Sequence, residues 1–184
     1  MQHILRIRVE KALHAQAVGP GVVEKIAALA SRDHGDARQA VALLAKSAYL
    51  AEKTGSHISL PRMDEAASVI EHDRYLTMVR TAPVQMRAVL SAVIEAAEKA
   101  DKEPVGTGDA YDAYRVVCDK AQLCPLSTRA FADLVAELDL YSLVRTRVLS
   151  HGRYGRTREI ILDLPEDVLE RIKTTIGIDL EMRR

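Results

Sequence analysis

Residues 124–164 read CPLSTRAFADLVAELDLYSLVRTRVLSHGRYGRTREIILDL, and their patterning changes near residue 140. Before that point, Phe131, Leu134, Val135 and Leu138 recur at the spacing of one helix face, in a helix that begins at Ser127. After it, YSLVRTRVLS and TREIILDL read as two strands, the only convincing ones in the chain. HGRYGR joins them, and its glycines supply the positive φ a loop needs. Upstream, Tyr111, Tyr114, Val117, Cys118 and Ala121 mark another helix. Only the short turn QLCPL separates it from Ser127, which makes a helix, tight turn, helix. A longer helix runs from about Pro83 to Ala100, with Met86, Leu90, Val93, Ile94 and Ala97 in register, and DKEPVGTG breaks it. A last amphipathic helix opens at Pro165 and carries Val168, Leu169, Ile172 and Ile176 before Gly177. Helices followed by a hairpin in this order make a winged helix-turn-helix, an architecture used for DNA binding and for protein association alike.

The first part of the chain has helical periodicity only. Ile4, Leu5, Val9, Ala12 and Leu13 outline a first helix, ended by Gly19, Pro20 and Gly21. Val22, Val23, Ile26, Ala27, Leu29 and Ala30 share one face of a second, which Gly35 can close. In the third, Ala37, Val41, Leu44 and Ala48 form the apolar stripe. Asp36 can accept from the Gln39 backbone while the Gln39 side chain reaches back, a variant of the capping box. That helix ends near Gly55; Ser59 can cap a fourth with Met63, Ala67 and Ile70, and Tyr75 to Pro83 reads as a connector. The predicted organisation is a helical domain over residues 1–78 and a winged helix over 79–184.

With 184 residues, 48% apolar and 28% charged, the chain has enough apolar material to build such cores. Lys plus Arg equals Asp plus Glu at 26 each, so any polyanion site must be local. No apolar run approaches the length of a membrane span, and the first ten residues lack a secretory apolar stretch, so a cytoplasmic protein without a membrane partner is expected. Cys118 and Cys124 suit neither a zinc ribbon nor a CxxC pair and are expected to be buried and reduced; the six histidines have no metal-ligand spacing. No GxxxxGK[ST] loop and no nucleophile–base constellation is present, so no catalytic residue and no metal are expected.

The positive charge is concentrated on the hairpin. Arg145, Arg147, Arg153, Arg156 and Arg158 occur between residues 145 and 158 without an acidic residue, although Glu159 follows. Arg153 and Arg156 bracket Tyr154 and Gly155 at the tip, where guanidinium groups can pair with phosphate and glycine permits close approach. Five such contacts would give a log–log salt slope of about −4 to −5 for duplex binding. In the predicted recognition helix, Ser127, Thr128 and Arg129 occupy the first turn, whose free N–H groups favour an anion. Arg129 is there against the helix dipole, with Asp133 one turn on as an alternative partner. Arg38 likewise occupies a first helical turn, where spacing permits a salt bridge to Asp36 or Asp33.

ASRDHGDARQAVALLAKSAYLAEKTG, CPLSTRAFADLVAELDL and SHGRYGRTREIIL together resemble the archaeal AAA+ replication initiators of the origin-recognition and cell-division-cycle family. The resemblance spans nearly the whole chain and corresponds to the C-terminal half of an initiator, the ATPase lid followed by the winged helix. It implies that Arg38 of GDAR is a second sensor reaching toward nucleotide phosphates, with Gly35 and Asp36 shaping the helix start. It implies duplex origin DNA as partner, contacted by Ser127, Thr128 and Arg129 in the major groove and by Arg153, Tyr154 and Arg156 at the minor groove, with Gly152 and Gly155 shaping the wing. ATP or ADP with Mg would belong to the intact initiator. The chain itself, without Walker motifs, is expected to need no cofactor and to hydrolyse no ATP. Where the family often has Gly after the recognition helix, this chain has Asp139, Leu140, Tyr141 and Ser142, which leaves the geometry of that loop open. A chromosome-associated monomer is expected. The alternatives are a module contacting other initiator subunits or the replicative helicase, and a stand-alone winged-helix regulator with a helical dimerisation unit.

Overall fold

The structure is a computed structural model that describes residues 1–14, 16–32, 36–101, 103–150 and 156–181. The chain divides into two compact units, Met1–Arg74 and Tyr75–Arg184.

Unit one is built from α1 (Gln2–Ala12), α2 (Val22–Arg32), α3 (Ala37–Lys53) and most of α4 (Leu60–Thr81). Its core gathers Leu5, Val22, Ile26, Leu44, Ile58 and Met63. The segment before Gly21 does more than end a helix. Val18 forms a parallel bridge with Ile58, Gly19 N–H donates to the Ile58 carbonyl at 2.8 Å, and Ile58 N–H donates to Ala17 at 2.7 Å. A Cβ on Gly19 would lie 3.1 Å from that carbonyl, so the close approach favours glycine. Gly35 lies outside the described residues. Asp36 caps α3, but its carboxylate accepts from Arg38 N–H at 2.7 Å rather than from Gln39, so the predicted box is replaced by a shorter cap. Replacing Asp36 by Ala is expected to lower the stability of this unit by about 1 kcal/mol, as read in urea denaturation.

The predicted connector over Tyr75–Pro83 is corrected. α4 continues to Thr81, because Leu76 and Val79 supply another buried i, i+3 pair and no Gly or Pro intervenes before Pro83. Unit two then consists of α5 (Val84–Lys99), β1 (Val105–Gly106), α6 (Thr107–Lys120), α7 (Thr128–Leu140), β2 (Arg145–Ser150), β3 (Arg156–Ile161) and α8 (Glu166–Glu181). α5 is buried on most of its surface, from Met86 to Ala97, and Ala88, Ala92 and Ala96 allow neighbouring backbones to come close. The hairpin is not the whole sheet. β1 adds to β3, giving the antiparallel order β1-β3-β2 with Val105 opposite Ile160, both buried. Two residues are too few for a period to be visible in sequence. α8 also passes the expected stop at Gly177, since one glycine inside a helix costs only about 1 kcal/mol.

Three helix ends in this unit use a non-glycine residue in the left-handed region: Asp101 (φ 52), Gln122 (φ 55) and Ser142 (φ 59). At α7, Ser142 N–H donates to Asp139 at 2.9 Å and Leu143 N–H donates back to Leu138 at 3.0 Å, the Schellman pattern. Ser142 thus fills the role that glycine often plays there, and the loop before β2 closes without it. The left-handed cost of a Cβ is partly offset by the entropy a glycine would lose, so Ser142→Gly is expected to raise stability by about 0.5 to 1 kcal/mol, seen as a higher Tm.

Candidate nucleic-acid interface

The first turn of α7 is held in place from the opposite face of the helix. Phe131, Val135 and Leu138 are fully buried, and Phe131 packs edge-on against Tyr111 (centroids 5.3 Å apart) and tilted against Tyr114 (5.2 Å). The two tyrosine hydroxyls satisfy both backbone groups of Leu126 in the turn. Tyr111 Oη donates to the Leu126 carbonyl at 2.8 Å, and Leu126 N–H donates to Tyr114 Oη at 3.1 Å. Tyr114 Oη in turn donates to Gln85 Oε1 at 2.5 Å, while Gln85 Nε2 donates to the Cys124 carbonyl at 3.0 Å. The turn QLCPL is therefore bolted to α5 and α6 by side chains. Gln85 gives no signal in the sequence, because a lone polar residue on a helix forms no pattern. Cys118 is buried as expected, and burial raises its pKa; Cys124 is exposed, correcting the expectation for that residue.

Burial pushes the Tyr114 phenol up to about 12. A neutral Tyr114 stabilises the fold fully below the ordinary tyrosine pKa of about 10, and that contribution is lost as pH rises from about 10 toward 12. Thermal stability is expected to fall across this alkaline window, and Tyr114→Phe should remove that part of the dependence. The same variant leaves Leu126 N–H without its acceptor and should cost about 1 to 3 kcal/mol at neutral pH.

Ser127 caps α7 by accepting from Ala130 N–H at 3.3 Å. Ser127, Thr128 and Arg129 are all exposed, the first turn contains no acidic residue, and Arg129 makes no ion pair with Asp133. An unpaired guanidinium beside free helical N–H groups is a place for an anion. Arg38 has the same setting at the start of α3: it is exposed, no acid lies in the first turn, and Asp36 is engaged with the backbone instead of its side chain.

The hairpin is different. Arg145 pairs with Asp163, and Arg147 Nε donates to Glu159 Oε2 at 2.6 Å, directly across the register from it. Arg158 is partly buried, with Nη1 3.5 Å from the Ala132 carbonyl of α7, and its own carbonyl accepts from Thr107 Oγ1 at 2.7 Å. Three of the five hairpin arginines are therefore engaged within the chain. Arg147 finds its carboxylate only through strand pairing, which sequence distance conceals. Gly152, Arg153, Tyr154 and Gly155 lie outside the described residues, as does the side chain of Arg156. At the base of the hairpin, Thr146 Oγ1 donates to Asp139 Oδ2 at 2.6 Å, tying β2 to the end of α7. Among the described residues no group of His, Cys, Asp and Glu could hold a metal, and no helix is long and apolar enough to cross a membrane.

Comparison with known proteins adds independent findings. Residues 77–172 match the family described as CDC6, C terminal winged helix domain, and residues 2–67 match the Cdc6 AAA+ ATPase-type lid domain. The chain is 38% identical over 165 residues to the ORC1-type DNA replication protein of Pyrococcus furiosus, covering 89% of this chain and 39% of that protein. It is 36% identical over 172 residues to ORC1-type DNA replication protein 1 of Archaeoglobus fulgidus, covering 93% and 42%. Among solved structures, the Aeropyrum pernix ORC1 protein in complex with DNA is similar at a TM-score of 0.81 and 33% identity, over 97% of this chain and 46% of that one. The chain thus spans about two-fifths of the length of the curated relatives it matches.

Proposed function

Given that the chain belongs to the Cdc6 family, uniting an AAA+ ATPase-type lid with a C-terminal winged-helix domain, we propose that it binds duplex DNA at replication origins as the C-terminal part of an initiator. The observation that carries this reading is the first turn of α7, exposed, capped by Ser127, and bearing Arg129 without an ion pair among the described residues. In this reading α7 enters the major groove. Ser127 and Thr128 donate hydroxyls to backbone phosphate, and Arg129 reaches phosphate or a guanine edge. The wing tip, with Arg153, Tyr154 and Arg156, follows the backbone into the minor groove. Arg145, Arg147 and Arg158 hold the wing against Asp163, Glu159 and α7.

That division changes the electrostatics. With Arg129, Arg153 and Arg156 as the contacts to phosphate, the log–log salt slope is expected to be about −3, shallower than five contacts would give. Fluorescence anisotropy with a random-sequence duplex over a salt series measures it. A slope near zero, or no binding at low salt, would refute the reading and favour the protein-interaction module.

For the lid, the reading assigns Arg38 to the phosphates of ATP or ADP, at a helix start shaped by Gly35 and Asp36. Hydrolysis with Mg would belong to the AAA+ ATPase module as a whole, and the protein would act on the chromosome in the cytoplasm.

A further inference from the structure

The winged helix has a second patterned face, which the DNA reading leaves unused. On α6, Asp109, Asp112, Val116 and Asp119 follow at i, i+3, i+7 and i+10, a single stripe along the helix. At about 100° per residue, the stripe lies on the far side of α6 from Tyr111, Tyr114 and Cys118, whose side chains face the core and α7. Among the described residues the three aspartates take part in no ion pair, whereas Lys120 on the same helix pairs with Glu95 at 3.9 Å.

The stripe has one apolar member. Val116 is 48% exposed in the middle of it. Two shallow clefts meet there: one is bounded by Ala100, Pro104 and Val105, the other by Leu123 and Pro125, and Asp112 and Val116 belong to both. Together they make one groove beside eleven residues of helix, about 15 Å or nearly three helical turns. Lys99 and Arg115 also line it, so among the described lining residues three aspartates stand against two cations, a net charge of −1.

We propose that this acid-edged apolar groove docks a basic amphipathic helix of a partner protein. The sign of the aspartates disfavours nucleic acid, and a valine between carboxylates one turn apart suits an apolar side chain better than a metal ion. A helix with leucines on one face and lysines flanking them matches both the length and the charge order. The inference does not depend on how α7 meets DNA.

The test uses a synthetic peptide of about 18 residues composed of Leu and Lys in amphipathic helical order, and its Leu and Glu counterpart, titrated into the 15N-labelled full chain. The expected result is amide shifts confined to residues 105–125 with the Leu/Lys peptide alone. Asp112→Lys with Asp119→Lys, and separately Val116→Ser, should each weaken binding about tenfold, while Arg129→Ala should leave it unchanged. Dispersion of the variant spectra reports whether each remains folded. Shifts centred elsewhere, equal binding by the Glu peptide, or insensitivity to both substitutions would overturn the proposal.

Discussion

Replacing Phe131 by Ala is expected to destabilise the winged-helix unit by about 3 to 5 kcal/mol. Phe131 is the one phenylalanine in the chain and has no exposed surface. Its ring is shared between Tyr111 and Tyr114, so truncation opens a cavity where α6, α7 and the turn meet. The loss should spread beyond packing. Without the ring, the two hydroxyls that hold Leu126 lose their backing, and with them the position of the first turn of α7. Chemical denaturation followed by circular dichroism measures the cost. Phe131→Leu, which preserves most of the volume, should recover more than half of it. A Phe131→Ala chain as stable as the parent would mean that α7 is held by contacts other than this cluster.

The second large effect is expected in binding. Changing Arg153 and Arg156 together to Ala removes two of the three proposed phosphate contacts. Counter-ion release alone predicts about a fifty-fold loss of duplex affinity at 0.1 M salt, and a slope that falls from about −3 to about −1. All sequences should weaken alike, because phosphate contacts carry no base information. Arg129→Ala should by itself make the slope shallower by about 1, and a change in sequence preference in that variant would mean that its guanidinium reaches a base edge instead of phosphate. Arg147→Ala provides the contrasting case. It breaks the pair with Glu159, so it should change stability within the small range of a surface ion pair and leave the slope nearly constant. A double variant with unchanged slope would remove the wing from the interface; an Arg147 variant with a slope shallower by about 1 would put the hairpin face back into it.

Much of the architecture was legible from the one-dimensional pattern. Every long helix was visible, because an apolar stripe at helical spacing is a local property, and the short turn QLCPL placed the start of α7 at Ser127, which the structure shows to be its cap. Order along the chain then implied the winged helix, and GDAR with GRYGRTR pointed to the family. The helical character of Tyr75–Thr81 is hidden in the sequence because its polar residues mask a short apolar stripe that only burial of Leu76 and Val79 makes decisive. Ser142 could not be identified as a left-handed residue, since the conformation is imposed by the bonds closing α7 rather than by serine itself.

The candidate site divides along the same physical line. Its residue types, arginines on the hairpin segment and in the first turn of α7, were determined by sequence alone, because charge is a property of single residues. Which arginines remain available was decided by tertiary structure. Arg147 meets Glu159 across two paired strands, Arg145 meets Asp163 beyond the end of β3, and Arg158 turns toward Ala132 of α7, 26 positions away. A guanidinium takes a nearby carboxylate whenever the fold supplies one. Chain pattern can count charges, but only packing determines which of them already have a partner within the chain.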